Sequence, residues 1–494
     1  MENNSILPEI IVATGDQKNS KYISSLSRQG RIKKLVSTIY TSNLAEDESV
    51  VVRRNLFFIL GSLFSGAVVS HRSAFEMRPT QSGDFYLTYK YTKKFQLKDL
   101  VIHLVEGPSG QPEDTPFVNG LFISCPERAY LEKLQVGYQK GNTSKCLPVA
   151  EIEERLDKVI RINGENAINA TRDKARMLSE RLGWTNAFSK LDKIIGAILS
   201  THDVATLQSP IAKARALGEP YDAGRIELFE TLFSALSNQI FKSCPEDDFS
   251  LSSYRNFAFF ESYFSNYIEG TEFTLEDARH IIEYNIPLPS RDEDSHDIMG
   301  TYQIVSDFHA MSIVPSSPDE LIYLLQSRHA ILLSARPEKS PGMFKMKNNR
   351  AGNSLFVDCE LVKGTLKKGF DYYRALSSPF AKAVFMLFMV SEVHPFDDGN
   401  GRISRIMMNA ELTHAGEKKI LVPTVFRTDY LGALRRLTRQ NDPDVLIKAM
   451  LRVRDFSAQL QKSDFEVMKH QLEEAKAFSD MEEDILLFKN NVHD

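Results

Sequence analysis

The sequence predicts a mainly α protein: a helical C-terminal core carrying a β-hairpin, preceded by a smaller α/β module and a helical middle segment. Three observations predict it. Strand-like alternation, in Phe85–Tyr89, Val101–Val105 and Leu121–Ile123, is concentrated ahead of Pro148. Apolar residues recur at helical spacing through most of the chain after Pro148, and one such run, residues 380–393, ends on a lone histidine and a cluster of turn residues. The later stretch with hairpin character lies between Pro341 and Cys359, where Gly342 and the polar Asn348–Asn353 precede the apolar Leu355-Phe356-Val357.

Taken in order, residues 1–148 read as the α/β module. Residues 17–45 hold Lys18, Lys21, Arg28, Arg31, Lys33 and Lys34 and no acid, and Tyr22–Leu35 has the apolar spacing of a helix that ends in basic residues. Arg53-Arg54 and Ser70-His71-Arg72-Ser73-Ala74 follow. Gly141-Asn142 with Pro148 marks the boundary, after which residues 149–250 read as a helical connecting segment, clearest over Glu151–Ile160 and Ala170–Leu182. Trp184, just after Gly183, is expected to pack a corner between helices. Residues 251–460 form the core, with Thr274 capping a helix that has Glu276 and Asp277 in its first turn. Residues 461–494 read as one amphipathic helix, with Ser463 and Glu466 as a capping box and a stripe of Phe465, Met468, Leu472, Ala475 and Phe478.

Composition excludes several classes. At 494 residues the chain is too long for one ordinary core and suggests roughly two to four domains. A hydrophobic content of 42% with 25% charged residues is that of a globular protein. A net charge of −5 argues against bulk attraction to nucleic acid or a membrane surface. The apolar stretch at Leu56–Val69 is too short for a membrane span and is interrupted by Gly61 and Gly66, and Met1-Glu2-Asn3-Asn4 is not expected to begin a signal peptide. The four cysteines are scattered without metal or disulfide spacing. A cytoplasmic location is expected.

Chemistry concentrates in residues 394–405, His-Pro-Phe-Asp-Asp-Gly-Asn-Gly-Arg-Ile-Ser-Arg. The turn Gly399-Asn400-Gly401 opens a new helix whose free N–H groups and dipole favour an anion. Arg402 and Arg405, three residues apart, share one helix face. Asp398 offers a hard oxygen of the kind Mg²⁺ prefers when it bridges phosphates, and His394 is the side chain here that takes a proton near neutral pH. Each part alone is ordinary; together they specify a phosphate site beside a base.

This run resembles the signature of the Fic (Fido) family, His-Pro-Phe-x-[Asp/Glu]-Gly-Asn-Gly-Arg-x-x-Arg, at every defined position. The resemblance implies transfer of AMP from ATP to a Ser, Thr or Tyr hydroxyl of a target protein. It implies His394 as general base, Asp398 on Mg²⁺, Gly399, Asn400 and Gly401 on the α- and β-phosphates, Arg402 on the β side and Arg405 on the γ-phosphate. Ser265-Asn266-Tyr267-Ile268-Glu269-Gly270 is similar to the family's inhibitory pattern, [Ser/Thr]-x-x-x-Glu-[Gly/Asn], which implies that Glu269 occupies Arg405 in place of the γ-phosphate. The 343–357 region would be the flap that docks the target by strand addition, with Lys345 where the family often has arginine. A homo-oligomer is compatible with such proteins, and no membrane contact is expected.

The N-terminal module resembles AbiEi-type antitoxin or transcriptional-regulator domains through Gln29–Leu35, Val69–Ala74 and Cys125–Ala129. That makes basic residues 18–54 the candidates for weak contact with nucleic acid or with a protein. Two alternatives to AMP transfer therefore stand: AMP removal, with Glu269 activating water, and a toxin–antitoxin or regulatory binding protein.

Overall fold

The structure, a computed structural model, describes residues 7–135, 145–352, 354–481 and 483–488. Gly141-Asn142 lies outside them. The chain divides into two compact units, residues 1–217 and 218–494. The division falls inside the stretch read from sequence as one connecting segment, because its first helices close a core with the first unit and the next one closes a core with the second.

The first unit opens with β1 (Ile10–Val12), α1 (Gln17–Arg28), β2 (Lys33–Val36) and β3 (Ile39–Thr41), with strand order β1-β3-β2. Asp16 caps α1, accepting from the Asn19 N–H at 2.8 Å. The helix expected over Tyr22–Leu35 stops at Arg28: Gln29 and Gly30 (φ 66°) end it, and Lys33–Val36 pairs instead with Ile39–Thr41. Apolar spacing alone does not separate a helix from a helix-then-strand when a glycine intervenes. Next come α2 (Glu48–Arg54), α3 (Leu56–Leu63), β4 (Val68–Val69), α4 (His71–Glu76), β5 (Asp84–Tyr89), β6 (Lys93–Leu97), β7 (Leu100–Glu106), β8 (Thr115–Pro116), β9 (Phe122–Ile123) and α5 (Pro126–Leu134). The six later strands form one mixed sheet, β6-β7-β5-β4-β9-β8, with β5 and β7 parallel from Asp84↔Val101 to Tyr89↔Glu106. One face of its centre packs on α2 and α3 through Val52, Ile59, Phe85 and Ile102. Helices α6 (Val149–Asn163), α7 (Glu165–Leu182), α8 (Thr185–Ile198) and α9 (Pro210–Ala216) build a second core with α5, and Trp184 packs against it between α7 and α8. Within the basic stretch, Lys33 pairs with Glu48, Arg53 with Asp99, and Arg54 with Glu9 and Glu46.

The second unit contains α10 (Ala223–Ser237), α11 (Leu251–Ile268), α12 (Leu275–Tyr284), α13 (Asp292–Val305), the single turn α14 (Phe308–Met311) and α15 (Pro318–Leu332). The short hairpin β10 (Arg350–Ala351) and β11 (Ser354–Leu355) follows, then α16 (Val362–Ala375), α17 (Pro379–Val393), α18 (Asn400–His414), α19 (Arg427–Gln440), α20 (Asp444–Ser457) and α21 (Phe465–Glu474). Residues 238–250 carry no helix, which shortens the helical stretch expected to residue 250. Because α17 is apolar around its circumference, it is buried around its circumference; α10 and α16 cover it, and α18 returns beside it. Thr274 caps α12 as expected, accepting from the Asp277 N–H at 3.1 Å.

The tail differs from one long helix. Asp464, not Ser463, is the N-cap of α21, accepting from the Val467 N–H at 3.0 Å. The helix ends at Glu474, and Lys476 (φ 58°) turns the chain so that the Phe478 ring sits 5.0 Å from that of Phe264 on α11. No helix among the described residues is long and apolar enough to cross a membrane.

Candidate active site

Helix α17 ends because His394 adopts the left-handed conformation, φ 51° and ψ 60°, with its N–H donating to the Val390 carbonyl at 3.0 Å. Pro395 then prevents continuation, and a six-residue loop leads to α18, for which Gly399 (φ 74°) is the N-cap. Asn400 holds the loop closed. Its Oδ1 accepts from the Phe396 N–H, and its Nδ2 donates to the Phe396 carbonyl, both at 2.8 Å. The side chain is therefore spent on the loop, and what Asn400 offers an anion is its backbone N–H at the helix start.

His394 is half-buried. Its Nδ1–H donates to the Ser391 carbonyl at 3.3 Å, and the Phe356 ring lies flat against it, centroids 3.6 Å apart and planes within 5°. Nε2 is left as an acceptor without a hydrogen bond, and the residue lines the cavity described below. Burial pushes the imidazole down to about 4, the Ser391 carbonyl opposes this, and the Lys345 ammonium adds to it. Near neutral pH the group is thus a free base; its protonation lies well below the neutral range in which the bare sequence would place it.

The arginines are both buried and face different partners. Arg402 lies 2.6 Å from Asp297 Oδ2 on α13 and 3.5 Å from Asp398 Oδ1. Arg405 donates from Nε to the Ser265 hydroxyl at 3.0 Å and from NH2 to the Ser265 carbonyl at 2.8 Å. The same NH2 donates to Glu269 Oε1 at 2.7 Å. Glu269 is the C-cap of α11, followed by Gly270 at φ 97°. Its carboxylate lies against Gly401 so closely that a β-carbon there would stand 2.1 Å from Oε1. An acid thus occupies the N-terminus of α18, where the sequence expects phosphate.

Asp398 takes the Gly399 N–H on Oδ1 at 2.6 Å, while Oδ2 has Lys339 and Arg336 at 3.8 and 3.9 Å. Burial works against its charge, but Arg402, the Gly399 N–H, Lys339 and Arg336 hold the carboxyl below its ordinary value. Among the described residues no group of three or more His, Cys, Asp or Glu side chains gathers for a metal. A cavity of about 530 Å³ opens beside these groups, lined by Glu269, Phe356, His394, Gly401, Arg405 and Tyr430 among others.

Two residues of the site, Asp297 and His329, escaped the sequence, whereas Lys345 is the one the resemblance placed in the flap. Asp297 bridges Arg402 and Arg336, the latter at 3.0 Å. His329 on α15 stacks on Phe396 at 3.8 Å, donates from Nε2 to the Asp398 carbonyl at 3.1 Å and accepts the Gly342 N–H on Nδ1 at 2.9 Å; burial pushes it down to about 4. Lys345, at the base of the hairpin, is buried, donates to Asn349 at 2.6 Å, and is pushed down by burial to about 8. Asp297 and His329 are single side chains on separate elements, with no local spacing to reveal them.

The family model described as the Fic/DOC family matches residues 321–412. The chain is 25% identical over 173 residues to the protein adenylyltransferase fic-1 of Caenorhabditis elegans, covering 34% of each chain. It is 32% identical over 105 residues to a Fido domain-containing protein of Dictyostelium discoideum, covering 20% of this chain and 73% of that one. A solved fragment of C. elegans Fic-1 superposes with a TM-score of 0.36 at 16% identity, over 63% of this chain and 96% of the fragment. This chain spans about a third of the length of the worm adenylyltransferase that it matches.

Proposed function

This chain belongs to the Fic/DOC family, and on that basis we propose that it transfers AMP from ATP to a hydroxyl of a target protein and is restrained by its own Glu269. The acceptor O–H gives its proton to His394 Nε2 while its oxygen attacks the α-phosphorus; the bond to the β-phosphate oxygen breaks and pyrophosphate leaves. His394 suits the task because its Nδ1–H is tied to the Ser391 carbonyl and Nε2 is bare. The N–H groups opening α18, with Arg402, would neutralise the phosphates, so that positioning and charge supply most of the rate.

Mg²⁺ fits the donor set. It takes one or two protein carboxylates together with phosphate oxygens and waters, and Asp398 presents one partly exposed carboxylate at the mouth of the phosphate site. The ion would be held there and would screen phosphate charge.

The observation that carries the proposal is the Arg405–Glu269 pair at 2.7 Å over Gly401. A γ-phosphate and this carboxylate would compete for one guanidinium fork. A hydrogen bond between charged groups is worth roughly 1.5–3 kcal/mol, so Glu269→Gly is expected to raise automodification by roughly tenfold or more. The measurement is incorporation of label from ATP radiolabelled at the α-phosphate, with Mg²⁺, for wild type, Glu269→Gly and Glu269→Gly/His394→Ala. Label that appears in the first variant and vanishes in the double variant supports the reading; equal label in all three overturns it. The same carboxylate lines the cavity that His394 faces, where it could activate water, so release of AMP from modified protein by wild type but not by Glu269→Gly would favour AMP removal.

A further inference from the structure

The hairpin that covers the base is gripped by a residue far from the motif. Arg225 lies on α10, outside the stretch that the family model matches, and its guanidinium reaches in two directions. NH2 donates to the Leu355 carbonyl at 2.5 Å, and Nε stands 3.0 Å from Glu392 Oε1. Glu392 is buried in the last turn of α17, two residues before His394, and its other oxygen accepts from the Thr438 hydroxyl of α19 at 2.6 Å. Leu355 is the last residue of β11 and immediately precedes Phe356, the ring stacked on His394. One guanidinium therefore ties together both supports of the same imidazole: the hairpin that presents Phe356 and the helix end that presents His394.

The base needs this second support. A single hydrogen bond, Nδ1 to the Ser391 carbonyl at 3.3 Å, leaves the ring free to tilt about that bond. A face-on aromatic contact at 3.6 Å removes that freedom, provided Phe356 is itself held. The hairpin cannot hold it alone, since β10 and β11 are two residues each and Leu355 is exposed. Burying an Arg–Glu pair is also a poor way to gain stability, because well-packed apolar residues of similar volume commonly do as well or better. An ion pair retained in the wall of this cavity is better explained by what it orients.

We propose that Arg225 is a positioning residue for the acceptor side of the reaction: acting through the Leu355 carbonyl and Glu392, it keeps Phe356 flat on His394 and so aims Nε2 at the hydroxyl delivered beside the hairpin. Its catalytic meaning rests on the AMP-transfer reading; its geometry does not.

Two measurements test it on the full chain. In proton NMR with labelled histidine, assigned by the loss of signals in His394→Ala, the Phe356 ring current displaces the His394 ring protons upfield. Arg225→Ala is expected to remove most of that displacement, as Phe356→Leu does, and the double variant is expected to go no further than either single one. Arg225→Lys, whose single ammonium serves only one of the two partners, gives an intermediate shift and stands in should the alanine variant not fold. In the Glu269→Gly background, Arg225→Ala is expected to lower label incorporation by roughly tenfold to a hundredfold, as misplacement of a reacting group does, with ATP affinity within about twofold because Arg225 touches no phosphate-site residue. His394 ring protons unmoved in both Arg225 variants overturn the proposal whatever the activity. Shifted ring protons with no label in any Glu269→Gly sample leave the clamp standing and remove the AMP-transfer reading instead.

Discussion

In the proposed transfer, His394 carries the pH dependence. An exposed histidine loses its proton near 6.5, whereas burial and Lys345 push this one down to about 4. The base is active when neutral, so transfer by Glu269→Gly should rise as pH climbs through about 4 and stay level to neutrality. A rate profile with its acid limb near 6.5 would show that the imidazole is hydrated during turnover. Asn400 makes a second case at this scale. Asn400→Asp keeps the acceptor for the Phe396 N–H but sets a carboxylate against the Phe396 carbonyl, where the amide donated. The expected cost is roughly 1–3 kcal/mol, read as a fall in Tm, and on the proposed function ATP binding is weakened in parallel because the loop opens at the helix proposed to receive phosphate.

At the scale of elements, α18 serves two ends. Its N-terminus meets the Glu269 carboxylate, and its last turn buries Glu411, which accepts from the Tyr373 hydroxyl of α16 at 2.9 Å. Burial pushes that carboxyl up to about 7, opposed by Tyr373, Lys382, His414 and Arg328. Between its ordinary value of about 4.3 and about 7 the folded chain therefore binds more protons here than the unfolded one, and stability falls as pH rises through that window. His329 and His394, pushed the other way, work in the opposite sense over about 4 to 6.5. The clean observable is a difference: Glu411→Gln should lose less Tm than wild type between pH 5 and pH 7.5, by roughly 2–3 kcal/mol of relative stability at most. Identical slopes would mean that Glu411 is hydrated. The tail shows why element lengths were hard to read from sequence. The stripe from Phe465 to Phe478 has helical spacing, yet Phe478 reaches α11 through a turn at Lys476 rather than along a helix. Spacing states which residues face a core; it does not state whether the chain arrives there as helix or as loop.

At the scale of the whole molecule, every residue of the candidate site lies within 218–494, and the core around it draws only on residues of that unit. Residues 218–494 produced alone should accordingly fold cooperatively and, with Glu269→Gly, label themselves at a rate within about an order of magnitude of the full chain. Failure to fold, seen as the absence of a cooperative thermal transition, would assign the first unit a part in the stability of the second. In the first unit, pairing of Lys33, Arg53 and Arg54 with acids leaves the basic character of residues 18–54 mainly to Lys18, Lys21, Arg28, Arg31 and Lys34. The sequence by itself determined the chemistry that is contiguous: the run from His394 to Arg405 and the pattern from Ser265 to Gly270 each hold their residues at spacings that one turn or one helix end imposes. It also determined the fold class, because the 3.6-residue period and the alternating period are local properties. The resemblance implied that Glu269 meets Arg405, and in the structure the two, 136 residues apart in the chain, come within 2.7 Å. Only the tertiary structure decided the other partners: Asp297, His329 and Arg225 reach the site from three further helices. Such side chains carry no signature of their own, since a lone buried acid, histidine or arginine acquires its role from the partner that packing supplies, and packing is a property of the whole chain.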